Sequence, residues 1–235
     1  MMVGTAVTLS TIVVGMDRTS YLTSAIGLGA ESDSAVAAAS AAALRAAAAD
    51  ASSGAALASA GLDLNVEHVQ IDRWVQRLTT SLKGDFEQSL TRMDRYSGMI
   101  TAKLDARQMP RELIYLAMIE SNFNPTARSP VSAVGLWQFM RPTGRQFGLA
   151  IGKRVDERKN PAKATDAALT YLSQLHDRFG SWYLAAAAYN SGQGTVSRAL
   201  KSVTGKTQGT DEDFFRILSK LPKETQDYVP KLIAS

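Results

Sequence analysis

One acid set in an apolar helix carries the first chemical signal of this chain: Glu120, within PRELIYLAMIESN at residues 110–122. Pro110 suits the first position of a helix, where a missing N–H costs nothing, and Glu112 puts negative charge at the favourable end of the dipole. Every residue from Leu113 to Ile119 is apolar, which predicts a helix running through the interior. Glu120 lies three, four and seven residues after Ala117, Leu116 and Leu113, so its carboxyl shares their face. A carboxylate there is costly unless partnered or protonated. Asn122 and Pro125 end the helix, so the negative end of its dipole also opposes ionisation. Both effects raise the pKa toward neutrality, which is what a general acid needs. A structural salt bridge is the competing reading, because ion pairs perturb pKa values too.

The elements that must position Glu120 read as helices. Val66, Val69, Trp74 and Leu78, then Phe86, Leu90, Met93, Ile100 and Leu104, recur at helical spacing with charges between them. Gly84 is the expected break in that run, and Trp74 is expected in the core. Residues 124–149, NPTARSPVSAVGLWQFMRPTGRQFGL, predict a tight loop closed by a short helical GLWQFM turn, with Pro142 opening the next helix. Asn160 and Pro161 start a helix that Gly180 stops; Ser181 caps WYLAAAAYN; another helix covers Thr195 to Leu200. Thr210 and Asp213 cap a helix holding Phe214 and Ile217, and residues 222–233 form the last one. No strand of convincing length follows residue 60. The expected class is mainly α.

Composition narrows the functions. Apolar residues make up 45% of the 235 and charged ones 20%, as in soluble globular proteins. The net charge is +4; residues 1–60 hold Arg18 and Arg45 against Asp17, Glu31, Asp33 and Asp50, which leaves +6 for the rest. Acidic residues are interspersed among the basic ones, so this is a mild lean toward anionic partners and no nucleic-acid signature. The absence of cysteine excludes disulfides, thiol nucleophiles, cysteine-based zinc sites and a lipid-modified N-terminal cysteine. His68 and His176 are too few for a metal site, and His176 beside Asp177 reads as a solvated helix end. Residues 3–16 have the length of an export-signal core, and Thr23/Ala25 or Gly27/Gly29 offer small residues for cleavage. Ala30 to Ala60 holds 17 alanines and 6 serines, too uniform to offer a packing stripe, and reads as a tether.

Three pieces then combine: ESNFNPTARS at 120–129, AVGLWQFMRPTG at 133–144 and AAYNSGQGTV at 187–196. Together they resemble the catalytic domain of the lysozyme-like lytic murein transglycosylases. The flanks VDERKNPAKATDAALTYL (155–172) and LPKETQDYVPKLIA (221–234) are most similar to the membrane-bound D group. The resemblance covers residues 64–234. It implies a lysozyme-like helical catalytic domain with flanking N- and C-terminal helices; with the leader and tether read from composition, the expected division is leader 1–29, tether 30–61, N-terminal helices 62–109, core 110–203 and C-terminal helices 204–235. It also implies an exported enzyme of the periplasm or cell envelope, associated with membrane or wall. Peptidoglycan strands are the implied partner, with no nucleic acid, metal or cofactor.

By the same resemblance Glu120 is the catalytic acid/base. Ser129, Gln138, Tyr189 and Asn190 are substrate-site residues, with Tyr189 expected to hydrogen-bond the Glu120 carboxyl. Many relatives have glycine where Ser132 stands, a departure that touches no catalytic role. D-group members commonly continue into glycan-binding repeats, and Ser235 is the last residue here.

The implied chemistry suits a lone acid. Glycoside hydrolases need two carboxylates about 5–9 Å apart. Glu112 is eight residues back on the same helix, ~12 Å along its axis, and residues 121–155 contain no acid. A sugar hydroxyl that replaces water as nucleophile removes the need for the second group. A goose-type hydrolase with a distant second acid such as Asp156, and a non-catalytic wall-binding protein, remain as alternatives. A basic cluster of Arg141, Arg145, Lys153, Arg154, Arg158 and Lys159 is expected either to meet stem-peptide carboxylates or to be a solvated face.

Overall fold

The computed structural model describes residues 61–235; the expected leader and nearly all of the tether fall outside them. Nine α-helices lie among the described residues: α1 Val69–Thr79, α2 Lys83–Asp105, α3 Ile114–Ser121, α4 Arg141–Gln146, α5 Pro161–Phe179, α6 Trp182–Ser191, α7 Gln193–Thr204, α8 Asp211–Ile217 and α9 Lys223–Ala234. The only strand-like pairings among these residues are isolated antiparallel bridges, so the class is mainly α as expected.

Local chemistry starts and stops these helices where the sequence indicates. The Asn160 side chain accepts from the Lys163 N–H at 3.0 Å, Pro161 takes the first position of α5, and Gly180 ends it at φ 75°. Ser181 Oγ accepts from the Leu184 N–H at 3.2 Å and starts α6. Thr210 and Asp213 form a reciprocal capping box on α8. Each cap satisfies backbone donors that a helix start leaves unpaired.

Helix α6 is the hub. Trp182 to Ala188 are all buried, and α5, α7, α8 and α9 pack around them. Four successive alanines leave room for the surrounding backbones to come close, which larger side chains would prevent. Helix α9 packs on α1, α6 and α3, and α2 bridges α3 and α5. Asp166 of α5 accepts from Lys103 of α2 at 2.7 Å and from Arg107, in the turn just after it, at 2.9 Å. Such partly exposed pairs add little energy but fix the register between the two helices.

The structure departs from the sequence reading at five local points. Pro110 precedes the helix: a 3₁₀ turn, Arg111–Leu113, leads into α3. The break between α1 and α2 falls at Thr80–Leu82, with Gly84 inside the first turn of α2. GLWQFM is not helical; it is a turn closed by bridges from Val134 to Arg128 and Phe139. Trp74 is half-buried rather than core, with Arg77 and Lys231 over its ring. His176 is no solvated helix end but stacks on Trp182 at 4.0 Å, while His68 caps α1 through Nδ1. No helix among the described residues is long and apolar enough to cross a membrane.

Candidate functional site

Glu120 sits in the last turn of α3, behind the buried Leu113, Leu116 and Ala117. Asn122 at φ 50° and Phe123 at φ 55° then reverse the chain, an uncommon pair of left-handed non-glycine residues. Phe123 is fully buried, so apolar packing holds the strained turn, and its N–H reaches back to the Ala117 carbonyl at 3.3 Å. The helix therefore stops with the Glu120 carboxyl at the edge of the core instead of continuing into it.

The loop after this turn is held by the residues that the motifs singled out. Ser121 Oγ donates to the Leu136 carbonyl at 2.9 Å, tying the end of α3 to the loop. Gln138, at φ 46°, donates from Nε2 to the carbonyls of Gly135 at 2.8 Å and Ala127 at 3.3 Å. Ser129 Oγ accepts from the Ala133 N–H at 3.0 Å. Gly135 has φ 91°, and a Cβ there would lie 1.9 Å from the Arg158 carbonyl oxygen, so no side chain fits. Ser132 has φ 69°, the conformation that favours glycine. Trp137 is fully buried and donates from Nε1 to Thr165 Oγ1 at 3.0 Å, anchoring the loop to α5.

Arg158 leaves the expected basic cluster. It is only 3% exposed, pairs with Asp156 at 2.7 Å, and donates from Nη1 to the carbonyls of Ser132 and Phe139. Arg145 likewise donates to the Ile151 carbonyl at 2.6 Å. The Arg158 guanidinium holds Asp156 below the usual carboxylate range, so Asp156 is a structural counter-ion here.

The hydrogen bond to Glu120 comes from α9. Tyr228 Oη donates to Glu120 Oε1 at 2.6 Å. Tyr189, expected in that role, instead donates to the Trp137 carbonyl at 2.8 Å; its ring packs at 5.3 Å from Tyr171 and 6.3 Å from Phe139. Tyr189 stays close enough for the Glu120 charge to help raise its phenol pKa, although burial is the larger cause. Asn190 turns toward α9: its Nδ2 donates to Glu224 Oε1 at 2.9 Å, and Thr225 Oγ1 donates to its Oδ1 at 2.8 Å. The structure thus gathers Glu120, Tyr189 and Asn190 near α9, while Ser129 and Gln138 shape the facing loop.

Burial lifts the Glu120 pKa to about 7; the negative charge of Glu224 adds to the rise, while the Tyr228 hydrogen bond and the Lys231 ammonium oppose it. Sequence reading missed all three of these neighbours. Glu224, Tyr228 and Lys231 stand at i, i+4 and i+7 on α9, and that spacing puts a carboxyl, a phenol and an ammonium on one helix face. The spacing was visible in the sequence; what the face meets, 108 residues from Glu120, was not.

Residues 98–211 match the family described as "Transglycosylase SLT domain". The membrane-bound lytic murein transglycosylase D of Escherichia coli is 41% identical over 144 residues, which are 61% of this chain and 31% of that protein. A putative tributyltin chloride resistance protein of an Alteromonas species is 38% identical over 116 residues, covering 49% of this chain and 56% of its own length. The chain therefore spans about a third of the first relative and just over half of the second. The crystal structure of the soluble lytic transglycosylase SLT70 from Escherichia coli superposes with a TM-score of 0.50 over 81% of this chain and 39% of its own, at 18% identity, and so shares the fold. The acid on α3 and the loop that faces it both lie within residues 98–211, the stretch that is similar to the transglycosylase SLT domain.

Proposed function

We propose that the chain is a peptidoglycan lytic transglycosylase, cleaving the β-1,4 bond between N-acetylmuramoyl and N-acetylglucosamine residues without water. The observation that carries this reading is a desolvated carboxyl, pKa about 7, held by one phenolic donor. Near neutral pH such a group exists in comparable amounts as acid and base, as a residue that must serve in both roles requires. In the first half of the reaction the Glu120 proton passes to the bridging O4 as the C1–O4 bond breaks. In the second, the Glu120 carboxylate takes the proton from the C6 hydroxyl of the same muramoyl residue as O6 bonds to C1. The product is a 1,6-anhydromuramoyl end, and Glu120 is protonated again. Ser129 and Gln138 present the loop that would line the glycan, and Tyr189 and Asn190 close the wall toward α9. The site lies outside the cytoplasm in this reading, with the apolar segment at 3–16 directing export and the alanine-rich stretch as a tether.

The test is product mass. Digestion of purified peptidoglycan should give muropeptides one water lighter than those with reducing ends. Ordinary reducing ends would make the enzyme a hydrolase and sink the anhydro mechanism.

A hydrolase would need a second carboxylate; Glu224, whose charge acts on Glu120, is the candidate, and its substitution separates the two mechanisms. Glu224→Gln keeps an acceptor for Asn190 but removes the negative charge that helps raise Glu120. The Glu120 pKa should then fall, moving the alkaline limb of the rate profile to lower pH by a fraction of a unit while turnover at pH 5–6 stays within about threefold. Loss of turnover at every pH would instead make Glu224 the base that activates water.

A further inference from the structure

Two cations beside the candidate site are left without an acidic partner among the described residues. The Arg77 guanidinium stands 4.3 Å from the centroid of the Trp74 ring, and the Lys231 ammonium stands 5.4 Å from it. Neither side chain makes a hydrogen bond or ion pair with any described residue, whereas Lys103, Arg107, Arg111, Arg158 and Arg216 each meet a carboxylate. Lys231 shares the inner face of α9 with Tyr228, one turn on from the phenol that holds Glu120. It is half-buried, and it feels both the repulsion of Arg77 and the attraction of Glu120. Two like charges gathered at one aromatic ring repel each other, and the π face offsets only part of that. An anion between them would relieve the rest. Substrate chemistry says which anion. Peptidoglycan carries carboxylates: the lactyl group of a peptide-free muramoyl residue, and the free carboxyls of the stem where a peptide is attached.

We propose that Arg77 and Lys231, set against Trp74, form a receptor for a carboxylate of the bound glycan beside Glu120. The site selects strands by the charge they carry next to the scissile bond. This rests on peptidoglycan as the substrate and not on the anhydro reaction, so binding tests it independently of product chemistry.

The experiment uses the full chain with Glu120→Gln, which removes turnover, and measures Kd for soluble glycan fragments of defined length. Peptide-free fragments and peptide-bearing fragments are each compared with the same fragments after their carboxylates are converted to amides. Lys231→Met keeps the apolar stem over Trp74 but drops the charge, and should weaken binding of carboxylate fragments about tenfold, the cost of one charge-assisted contact. Amidated fragments should bind both chains alike. A penalty confined to peptide-free strands assigns the lactyl carboxylate, and one confined to peptide-bearing strands assigns the stem. Arg77→Gln, at an exposed position, repeats the test should Lys231→Met disturb folding. An equal loss on charged and amidated fragments, or no loss on either, overturns the proposal. Ordinary reducing ends from the active enzyme would overturn the anhydro mechanism and leave this binding result standing.

Discussion

Replacing Glu120 by Gln should abolish turnover and, at alkaline pH, make the protein more stable. Gln keeps the shape of Glu and can still accept the Tyr228 hydrogen bond. It can neither give the proton to O4 nor take one from the C6 hydroxyl, so both half-steps fail and the rate should drop by about a thousandfold or more. The stability effect follows from the raised pKa. Glu120 titrates near 4.5 in the unfolded chain and near 7 in the folded one. Folding is therefore most favourable, as far as this group is concerned, below about pH 4.5, and that contribution is lost as pH rises through 7. By pH 8 the wild-type chain carries a desolvated carboxylate that the variant lacks. The difference is roughly 2–3 kcal/mol, several degrees in Tm for a domain of this size. Thermal melts at pH 5 and pH 8 check it: the gap between variant and wild type should be much larger at pH 8 than at pH 5. An equal gap at both values would mean that Glu120 is not held at a raised pKa by its surroundings.

Much of this site could be read from local chemistry. The position of Glu120 at the end of an apolar helix followed from side-chain periodicity and from Asn122, because one turn of helix spans the residues concerned. The caps at Asn160, Ser181 and Thr210 were legible for the same reason: donor and acceptor lie within three residues. What failed needed distant partners. Arg158 looks like one of several surface cations until the loop at 132–139 closes over it and offers two carbonyls. Trp74 has the periodicity of a core residue, but α9 brings Lys231 over its ring. The GLWQFM segment lacks Pro and Asp yet is no helix, because bridges to Val134 and the left-handed Gln138 hold it as a turn. The donor to Glu120 was assigned to Tyr189 by resemblance alone; the structure gives Tyr189 the Trp137 carbonyl and leaves Glu120 to Tyr228. Helix α9, expected as part of a C-terminal flank, thus contributes to the candidate site.

Tyr228→Phe should therefore cost far more activity than Tyr189→Phe, although both remove one phenolic hydroxyl near Glu120. The Tyr228 hydroxyl bonds the Glu120 carboxyl itself, the group that reacts in the proposed mechanism. Once Glu120 has given its proton to the leaving oxygen, that bond becomes charge-assisted, stronger than in the ground state, and so assists the step. Its loss should cost on the order of 1.5–3 kcal/mol, roughly ten- to a hundredfold in kcat. It should also raise the Glu120 pKa further, since the bond favours the ionised form, and move the alkaline limb to higher pH. Tyr189 donates to a main-chain carbonyl, so Tyr189→Phe leaves that carbonyl without its donor and weakens the seat of the loop. The expected result is about 1 kcal/mol of lost stability, a fall in kcat of less than about tenfold and an unshifted pH profile. Phe keeps both rings packed, so folding is preserved in each variant and kcat against pH decides between them. A larger loss for Tyr189→Phe, or a profile that moves only in that variant, would return the donor role to Tyr189 and make the Tyr228 contact incidental to turnover.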